Sequence, residues 1–281
     1  MKLLDPHAHT LHSDGTDTAA ELVRAAKAAG LDGVGITDHD TLAGWEEAAR
    51  EAQKSGIELI RGVEVSAQWE GRPVHILALL PDPTNAELAE VFEATRQSRI
   101  ARLHRMVNNL STDYPLLKWD AVEARGGDAP LGRPHLADEL VSLGYFPDRS
   151  AAFEWVLHPR GPYWERQETV GPVDAVAIVR RAGGVPIFAH PRASKRGMSI
   201  PTEVVADMVQ AGLFGLERDH RDHSPQDRED VERWAAMFKL PVTGGSDYHG
   251  LGKPNRLGEN TISPKIMSQI EDEAFLEVIR T

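Results

Sequence analysis

Residues able to carry chemistry crowd the start of the chain, in the run Asp5-Pro6-His7-Ala8-His9-Thr10-Leu11-His12-Ser13-Asp14-Gly15. The apolar pair Leu3-Leu4 before it reads as a β-strand. Alternate residues of a strand point to one side, so His7 and His9 can reach a single metal ion together. Asp14 sits on a Ser-Asp-Gly turn that brings it back toward the same place. Alone, a His-x-His pair is equally well accounted for by two ordinary surface histidines. Recurrence decides between the readings. The strand-like run Gly33–Thr37 leads into Asp38-His39-Asp40, Ile57–Ser66 carries Glu64, and Pro73–Leu80 carries His75. Val185–His190 ends in a histidine, Gly212–Glu217 in a carboxylate, and Leu240–Ser246 in Asp247-Tyr248-His249. In a parallel barrel the C-terminal strand ends converge on one face, where such residues would meet. A donor set of imidazoles and carboxylates without sulfur suits Mn²⁺, Zn²⁺ or Fe²⁺ over Mg²⁺ or Cu⁺. So many donors imply more than one ion, and a carboxylate such as Glu64 can bridge two ions about 3.5–4 Å apart.

The elements that must position these residues are legible in the pattern. Thr18-x-x-Glu21 is a capping box opening a helix with the apolar stripe Leu22, Val23 and Ala26, closed by Gly30. A second helix spans about Leu42 to Lys54 and stops at Gly56. Strand and helix alternate at βα-unit length, which implies parallel strands with helices outside. Between about Thr84 and Gln167 the rhythm changes. Ala86–Leu110 reads as one long helix whose basic face holds Arg96, Arg99, Arg102 and Arg105; that face is expected to pack against acidic neighbours. Arg133-Pro134-His135-Leu136-Ala137 opens another helix, and Trp155, Tyr163 and Trp164 follow, expected in the packing of this segment. The helical stretch 84–167 therefore reads as an insertion or cap on a barrel formed by 1–83 and 168–281. Alternation then resumes, with Pro172, Ser224-Pro225 and Ser263-Pro264 marking helix starts.

Composition narrows the classes. With 281 residues, 41% hydrophobic, the chain can bury a large core. It has no cysteine, which excludes disulfides and thiolate ligation. No apolar run approaches the roughly 18 residues of a membrane span and no signal-peptide core is present, so a soluble cytoplasmic protein is expected. The net charge of −12 argues against an extended nucleic-acid surface or an anionic membrane as partner, so a phosphorylated substrate must be attracted locally, by metals and a few arginines. Oligomeric state has no signature in the sequence.

Taken in order, His7-x-His9 with Ser13-Asp14-Gly15, Thr37-Asp38-His39-Asp40, Gly62-Val63-Glu64, His75, Ala189-His190-Pro191 and Ser246-Asp247-x-His249 resemble the motifs of the PHP (polymerase and histidinol phosphatase) superfamily, from residue 1 to about 258. The resemblance implies an α/β fold, a distorted (β/α)7 TIM-like barrel, with two or three divalent ions that hydrolyse phosphate esters through a metal-bridging hydroxide. It implies one ion on His7, His9, Glu64 and Asp247, a second on Glu64, His75 and His190, and a third on Asp14, His39 and His249, with Mn²⁺ expected first. Asp247 would be either a proton acceptor or a ligand only. The arginine-rich helix, Gly132-Arg133-x-His135 and Gly215-x-Glu217 with His223-Ser224-Pro225 resemble a bacterial subgroup acting on nucleotides, 3′,5′-nucleoside bisphosphate phosphatases included. There the residues matching Arg133, His135 and His223 approach the substrate phosphate, which implies for His223 phosphate binding or protonation of the leaving group. The alternative for His223 is a helix N-terminal residue, and for Arg133 a surface ion pair. Arg192, with Lys195 and Arg196, would bind a second phosphate or form a solvated face. The segment Arg218-Asp219-His220-Arg221-Asp222 is more charged than its counterpart in the subgroup. The expected activity is hydrolysis of a small nucleotide's phosphate ester. The alternatives are a cyclic-phosphate hydrolase, a 5′-3′ exonuclease on short oligonucleotides, a histidinol-phosphate phosphatase, or a polymerase-type scaffold with an eroded site. Against erosion, all nine ligand positions hold plausible donors.

Overall fold

The computed structural model describes residues 2–126, 131–158, 161–193 and 200–280. Seven strands, β1 (Leu4–Asp5), β2 (Gly33–Ile36), β3 (Glu58–Trp69), β4 (Arg72–Leu79), β5 (Val185–Phe188), β6 (Gly215–Asp219) and β7 (Val242–Gly244), pair in sequence order. Beyond β1 the chain meets the chain beyond β7. The His9 N–H donates to the Tyr248 carbonyl at 2.8 Å, and the Asp247 N–H to the His7 carbonyl at 3.0 Å. The sheet thus curls into a nearly closed barrel.

Strands β1 to β3 are mutually parallel, as are β5 to β7, but β4 runs antiparallel to both neighbours, against the all-parallel expectation. The reason is local. Only Glu70 and Gly71, both at positive φ (48° and 79°), separate β3 from β4, and so short a link makes a hairpin where a parallel crossover needs a dozen residues or more. Reversal has a consequence for the site: His75, near the start of β4, lies at the barrel end where the other strands finish. Glu64, in turn, is not terminal but sits mid-way along β3, paired with Leu77.

The helices outside are α1 (Ala19–Ala28), α2 (Trp45–Ser55), α7 (Pro172–Arg181), α8 (Thr202–Gln210), α9 (Pro225–Phe238) and α10 (Pro264–Glu273). The capping box of α1 is present in both directions: Thr18 Oγ1 accepts the Glu21 N–H at 3.2 Å, and Glu21 Oε2 accepts the Thr18 N–H at 2.8 Å. Helix α2 ends on Gly56 at φ +63°, a left-handed position glycine takes without strain. Its first residue, Trp45, donates from Nε1 to the Gly62 carbonyl at 2.9 Å and so ties the helix to β3.

Between β4 and α7 the described chain is helical: α3 (Ala86–Leu110), α4 (Trp119–Gly126), α5 (Arg133–Ser142) and α6 (Arg149–Trp155). These pack around their own apolar cluster, including Leu103, Met106, Leu110, Leu136 and Leu140. At about 1.5–3 kcal/mol per fully buried large side chain, that cluster alone can hold the four helices together. No described helix is long and apolar enough to cross a membrane.

Candidate metal centre

His7 and His9 leave β1 on either side of Ala8, and both are fully buried. The following turn is closed by Ser13 N–H and Gly15 N–H on the Thr10 carbonyl, at 3.1 and 3.0 Å. A side chain at Gly15 would strike the His9 carbonyl, where a Cβ would sit 2.6 Å away. Asp38 knits the turn together, accepting from the Thr10 N–H (2.7 Å), the Thr10 hydroxyl (2.7 Å) and the Ser13 hydroxyl (2.5 Å). That is how Asp14 is brought back over the histidines.

Three groups of donor atoms result. In the first, Glu64 Oε2 lies 3.0 Å from His9 Nε2 and 3.3 Å from His7 Nε2, and Asp247 Oδ1 lies 3.3 and 3.5 Å from the same two nitrogens. In the second, Glu64 Oε1 faces His75 Nδ1 at 2.8 Å and His190 Nε2 at 3.0 Å. In the third, Asp14 Oδ1 faces His249 Nε2 at 3.0 Å, His9 Nδ1 at 3.6 Å and His39 Nε2 at 4.0 Å. Glu64 thus offers one oxygen to each of two groups. His39 lies between groups as well, its Nδ1 3.4 Å from Glu64 Oε2. A neutral imidazole has one lone pair to give, so His9 and His39 each serve one group at a time.

The residues fit divalent ions. Asp14 Oδ1, His39 Nδ1, His75 Nδ1 and His249 Nε2 are buried without a hydrogen bond among the described residues, a cost that coordination removes. Electrostatics agree. Burial opposes ionisation of Glu64, yet His39, His75 and His7 outweigh it and hold the carboxyl well below its ordinary range. Asp14 is held low against burial by His249 and His39, and Asp247 against burial by Lys253 and His249. In the metal-free chain His9 is disfavoured as a cation by burial, but Asp247 and Glu64 prevail and raise it to about 9. His190 (φ 31°) and Asp247 (φ 52°) occupy the left-handed region, strained for side chains of this kind and common where a site dictates the backbone.

A further layer orients these donors, and the sequence had singled out only part of it. Glu217, noted there as a strand-end carboxylate and part of the Gly215-x-Glu217 motif but given no role, accepts from His7 Nδ1 at 2.8 Å and from the His190 N–H at 2.8 Å, locking two candidate ligands at once. His220 Nε2 lies 3.3 Å from Asp247 Oδ2 and Lys253 Nζ 3.0 Å from the same oxygen. Neither contact has a local sequence signal: His220 reaches Asp247 from the loop after β6, 27 residues away, and Lys253 folds back from six residues further along the loop after β7.

The residues expected to bind phosphate are spread differently. His223 has both ring nitrogens on main chain: Nδ1 lies 2.7 Å from the Arg218 carbonyl, and Nε2 accepts the Arg192 N–H at 3.2 Å. Burial lowers its pKa. It clamps the loops after β5 and β6, and His220 is the ring that reaches the ligand group. His135 Nδ1 accepts the Gly132 N–H at 3.0 Å and caps α5. Arg192 pairs with Asp230, stacks 5.0 Å over Trp234 and lines a separate surface pocket. Lys195 and Arg196 lie outside the described residues.

A cavity of about 710 Å³ joins the barrel to the insertion. Asp14, His39, His75, His190 and His249 line it from the barrel, and Arg99, Arg102, Arg133, Arg149 and Trp164 from the insertion. The α3 arginines divide as their neighbours dictate. Arg96, Arg99 and Arg105 pair with Glu93, Asp40 and Glu165, as expected of a face packed on acids. Arg102 instead has no carboxylate within 4 Å among the described residues. It stacks 4.1 Å over Trp164 and is only 6% exposed. Arg133 stacks between Trp164 (4.7 Å) and Phe153 (5.3 Å), likewise without a carboxylate partner. Burial and the neighbouring cations push Arg102 down to about 8 and Arg133 to about 10. A guanidinium holds its proton stubbornly, so the strain is relieved by an anion. Of the three aromatics expected in packing, Tyr163 packs on the insertion's apolar cluster, Trp164 stacks with Arg102 and Arg133 at the cavity wall, and Trp155 is 71% exposed.

A nearly closed barrel gathering histidines and carboxylates at one end has the donor set of a metal-dependent hydrolase, and comparison with known proteins makes phosphoric esters its substrates. The chain belongs to the PHP domain family, whose match covers residues 5–125. It is 31% identical to a 3′,5′-nucleoside bisphosphate phosphatase of Chromobacterium violaceum, over 100% of this chain and 99% of that one. It is 33% identical to a phosphoribosyl 1,2-cyclic phosphate 1,2-diphosphodiesterase of Eggerthella lenta (88% and 94% covered) and 32% to a 5′-3′ exoribonuclease of Haemophilus influenzae (88% and 90%). Among solved structures, a Bifidobacterium adolescentis protein described as a metal-dependent phosphoesterase superposes with a TM-score of 0.92 at 40% identity, covering 97% of this chain and 96% of that one.

Proposed function

We propose that the enzyme removes a phosphoryl group from a small nucleotide bearing a second phosphate, such as a 3′,5′-nucleoside bisphosphate. The cavity carries this reading. Its barrel side presents candidate metal donors for the reacting phosphate, and its insertion side presents Arg102 and Arg133 without carboxylate partners, stacked on Trp164. Its volume suits a nucleotide and excludes a duplex. The name of the Chromobacterium relative points to the same substrate class.

In this reading two or three divalent ions, Mn²⁺ first and Zn²⁺ or Fe²⁺ as alternatives, are held by His7, His9, Glu64 and Asp247, by Glu64, His75 and His190, and by Asp14, His39 and His249. When bound they supply Lewis-acid neutralisation of phosphoryl charge and a water nucleophile at neutral pH. The protein's own residues do the rest. Glu217 fixes the tautomer and orientation of His7. Asp247 presents one oxygen to the ligand group while His220 and Lys253 contact the other, which favours the role of ligand over that of proton acceptor. Arg133 and Arg102 grip the distal phosphate in charge-assisted hydrogen bonds, Arg133 also donating to the Leu157 carbonyl at 3.2 Å. His223 and His135 act by holding loops. With nucleotides as substrates, the cytoplasm is the expected compartment.

The test is phosphate release by Mn²⁺-loaded protein from 3′,5′-bisphosphoadenosine, AMP, a cyclic nucleotide, a 5′-phosphorylated oligonucleotide and histidinol phosphate, with metal content assayed in parallel. Fastest turnover of the bisphosphate is expected, abolished in Asp247→Asn. In Arg102→Met the KM for the bisphosphate should rise roughly 10- to 100-fold, and that for AMP far less. Bound metal with no release from any nucleotide would overturn the reading, and preference for the cyclic compound or the oligonucleotide would transfer it to those substrates.

A further inference from the structure

We propose that Lys253 is a substrate-contacting residue of the metal centre, an ammonium that binds the transferred phosphoryl group beside the ions. The inference rests on the phosphoesterase reading above and adds a residue outside the motifs quoted from the sequence. It starts from how firmly the loop after β7 is built. Gly250 stands at φ +62°, where a Cβ would lie 2.0 Å from Thr16 Oγ1, and the Leu251 N–H donates to that oxygen at 2.8 Å. At Gly252 a Cβ would sit 2.8 Å from Nη1 of Arg149, so this stretch touches the insertion as well. Asn255 is buried and donates from Nδ2 to the Ser246 carbonyl at 2.7 Å, which closes the loop against the end of β7. Between these anchors Lys253 is extended (φ −139°, ψ 159°), followed by Pro254.

Its Nζ reaches Asp247 Oδ2 at 3.0 Å, yet the side chain is 29% exposed and lines the cavity together with Asp14, His39, His75, His190 and His249. An ammonium has three donors. One is spent on Asp247, and the other two have no partner among the described residues. The acidic residues that share the cavity lining are Asp14, Glu154 and Asp222, and none of them lies within 4 Å of Nζ. A charge serving only to steady Asp247 needs no opening to the cavity. His220 steadies the same oxygen from a fully buried position and does not line the cavity. The two donors on Oδ2 thus separate by role: His220 orients the carboxylate, and Lys253 turns its remaining N–H groups toward the space in which a phosphoryl group would meet the ligands. The ligand chemistry is a tetrahedral oxyanion, either the substrate's reacting phosphate or product orthophosphate.

The contrast between these residues gives the experiment. Lys253→Met and His220→Gln each remove one donor from Asp247 Oδ2, but only the first removes a cation from the cavity. Inorganic phosphate binding to Mn²⁺-loaded protein is measured by equilibrium dialysis with radiolabelled phosphate, and bound metal by elemental analysis. At matched metal occupancy Lys253→Met should weaken phosphate binding roughly 10- to 100-fold, with Lys253→Arg recovering part of it. His220→Gln should bind phosphate as wild type does at matched metal occupancy. If Lys253→Met loses metal just as His220→Gln does, and binds phosphate normally once metal is restored, Lys253 only positions Asp247 and the proposal is wrong. Wild-type protein that loads metal yet binds no phosphate would instead sink the phosphoesterase reading itself.

Discussion

At the residue scale, the decisive feature is that ligands are held by partners remote in sequence. Glu217 carries two duties, on His7 Nδ1 and on the His190 N–H, with 210 and 27 residues between the partners. Glu217→Gln keeps the shape but loses the charge that stabilises the Nδ1 proton of His7. We expect metal affinity to fall about 10- to 100-fold, read by competition with a chromophoric chelator, while the far-UV spectrum stays unchanged. The candidate ligands themselves stood out in the sequence, because all but Asp14, on its Ser-Asp-Gly turn, lie in or beside a strand-like run. The orienting contacts were not, since sequence neighbours say nothing of which loop crosses which. Arg102 makes the same point: it sits on α3 in helical register with three arginines that pair with acids, and only the packing of Trp164 beneath it sets it apart.

At the element scale, strand ends place the donors, and close backbone approach keeps them there. Gly35 in β2 is the tightest such point: a Cβ there would lie 2.2 Å from the Pro6 carbonyl oxygen, just before His7. Gly35→Ala must push β1 and β2 apart. Expected is a loss of about 1–3 kcal/mol in chemical denaturation, together with reduced metal content, because the displaced segment carries His7 and His9. Unaltered stability would mean that the strands can separate freely. The β3–β4 hairpin shows what the apolar pattern left undecided. Alternation marked both strands, but direction depended on the two-residue Glu70-Gly71 link. Helix caps were local events and were read correctly, down to Ser224 and Ser263 as N-caps followed by proline.

At the scale of the whole molecule, the barrel end buries carboxylates and imidazoles that only a cation can satisfy, so metal, protons and stability are linked. His9 is raised from an ordinary 6.5 to about 9, and His7 also lies well above its ordinary value. In the metal-free protein His9 is therefore protonated at neutral pH, and against burial the carboxylates Glu217 and Glu64 bias His7 the same way. A raised folded-state pKa contributes stability that is complete below about 6.5 and is lost as pH climbs through about 9. Metal binding needs neutral rings, so it must expel those protons. Calorimetric titration of metal into apo-protein at pH 7, in buffers of different ionisation enthalpy, should show net proton release, and affinity should strengthen from pH 6.5 toward 9. Release of no protons would contradict the arrangement of His7 and His9 between acidic ligands. Chelation should lower the melting temperature and Mn²⁺ restore it, since an ion at 100 times its Kd adds about 2.7 kcal/mol.

Residue chemistry and periodicity, read from the sequence alone, marked the candidate ligand types, the order of strands and helices and the helical stretch between β4 and α7, while the membership came from the resemblance of the ordered motifs. Those properties are local or depend on spacing. Tertiary structure decided the rest: the reversed direction of β4, the hold of Glu217 on His7 and His190, His220 rather than His223 against Asp247, and a cavity joining the barrel's ligands to the insertion's arginines. Each of these is a distance between segments far apart in the chain. Such distances are set by how the whole set of apolar faces packs at once, which no short stretch of sequence encodes.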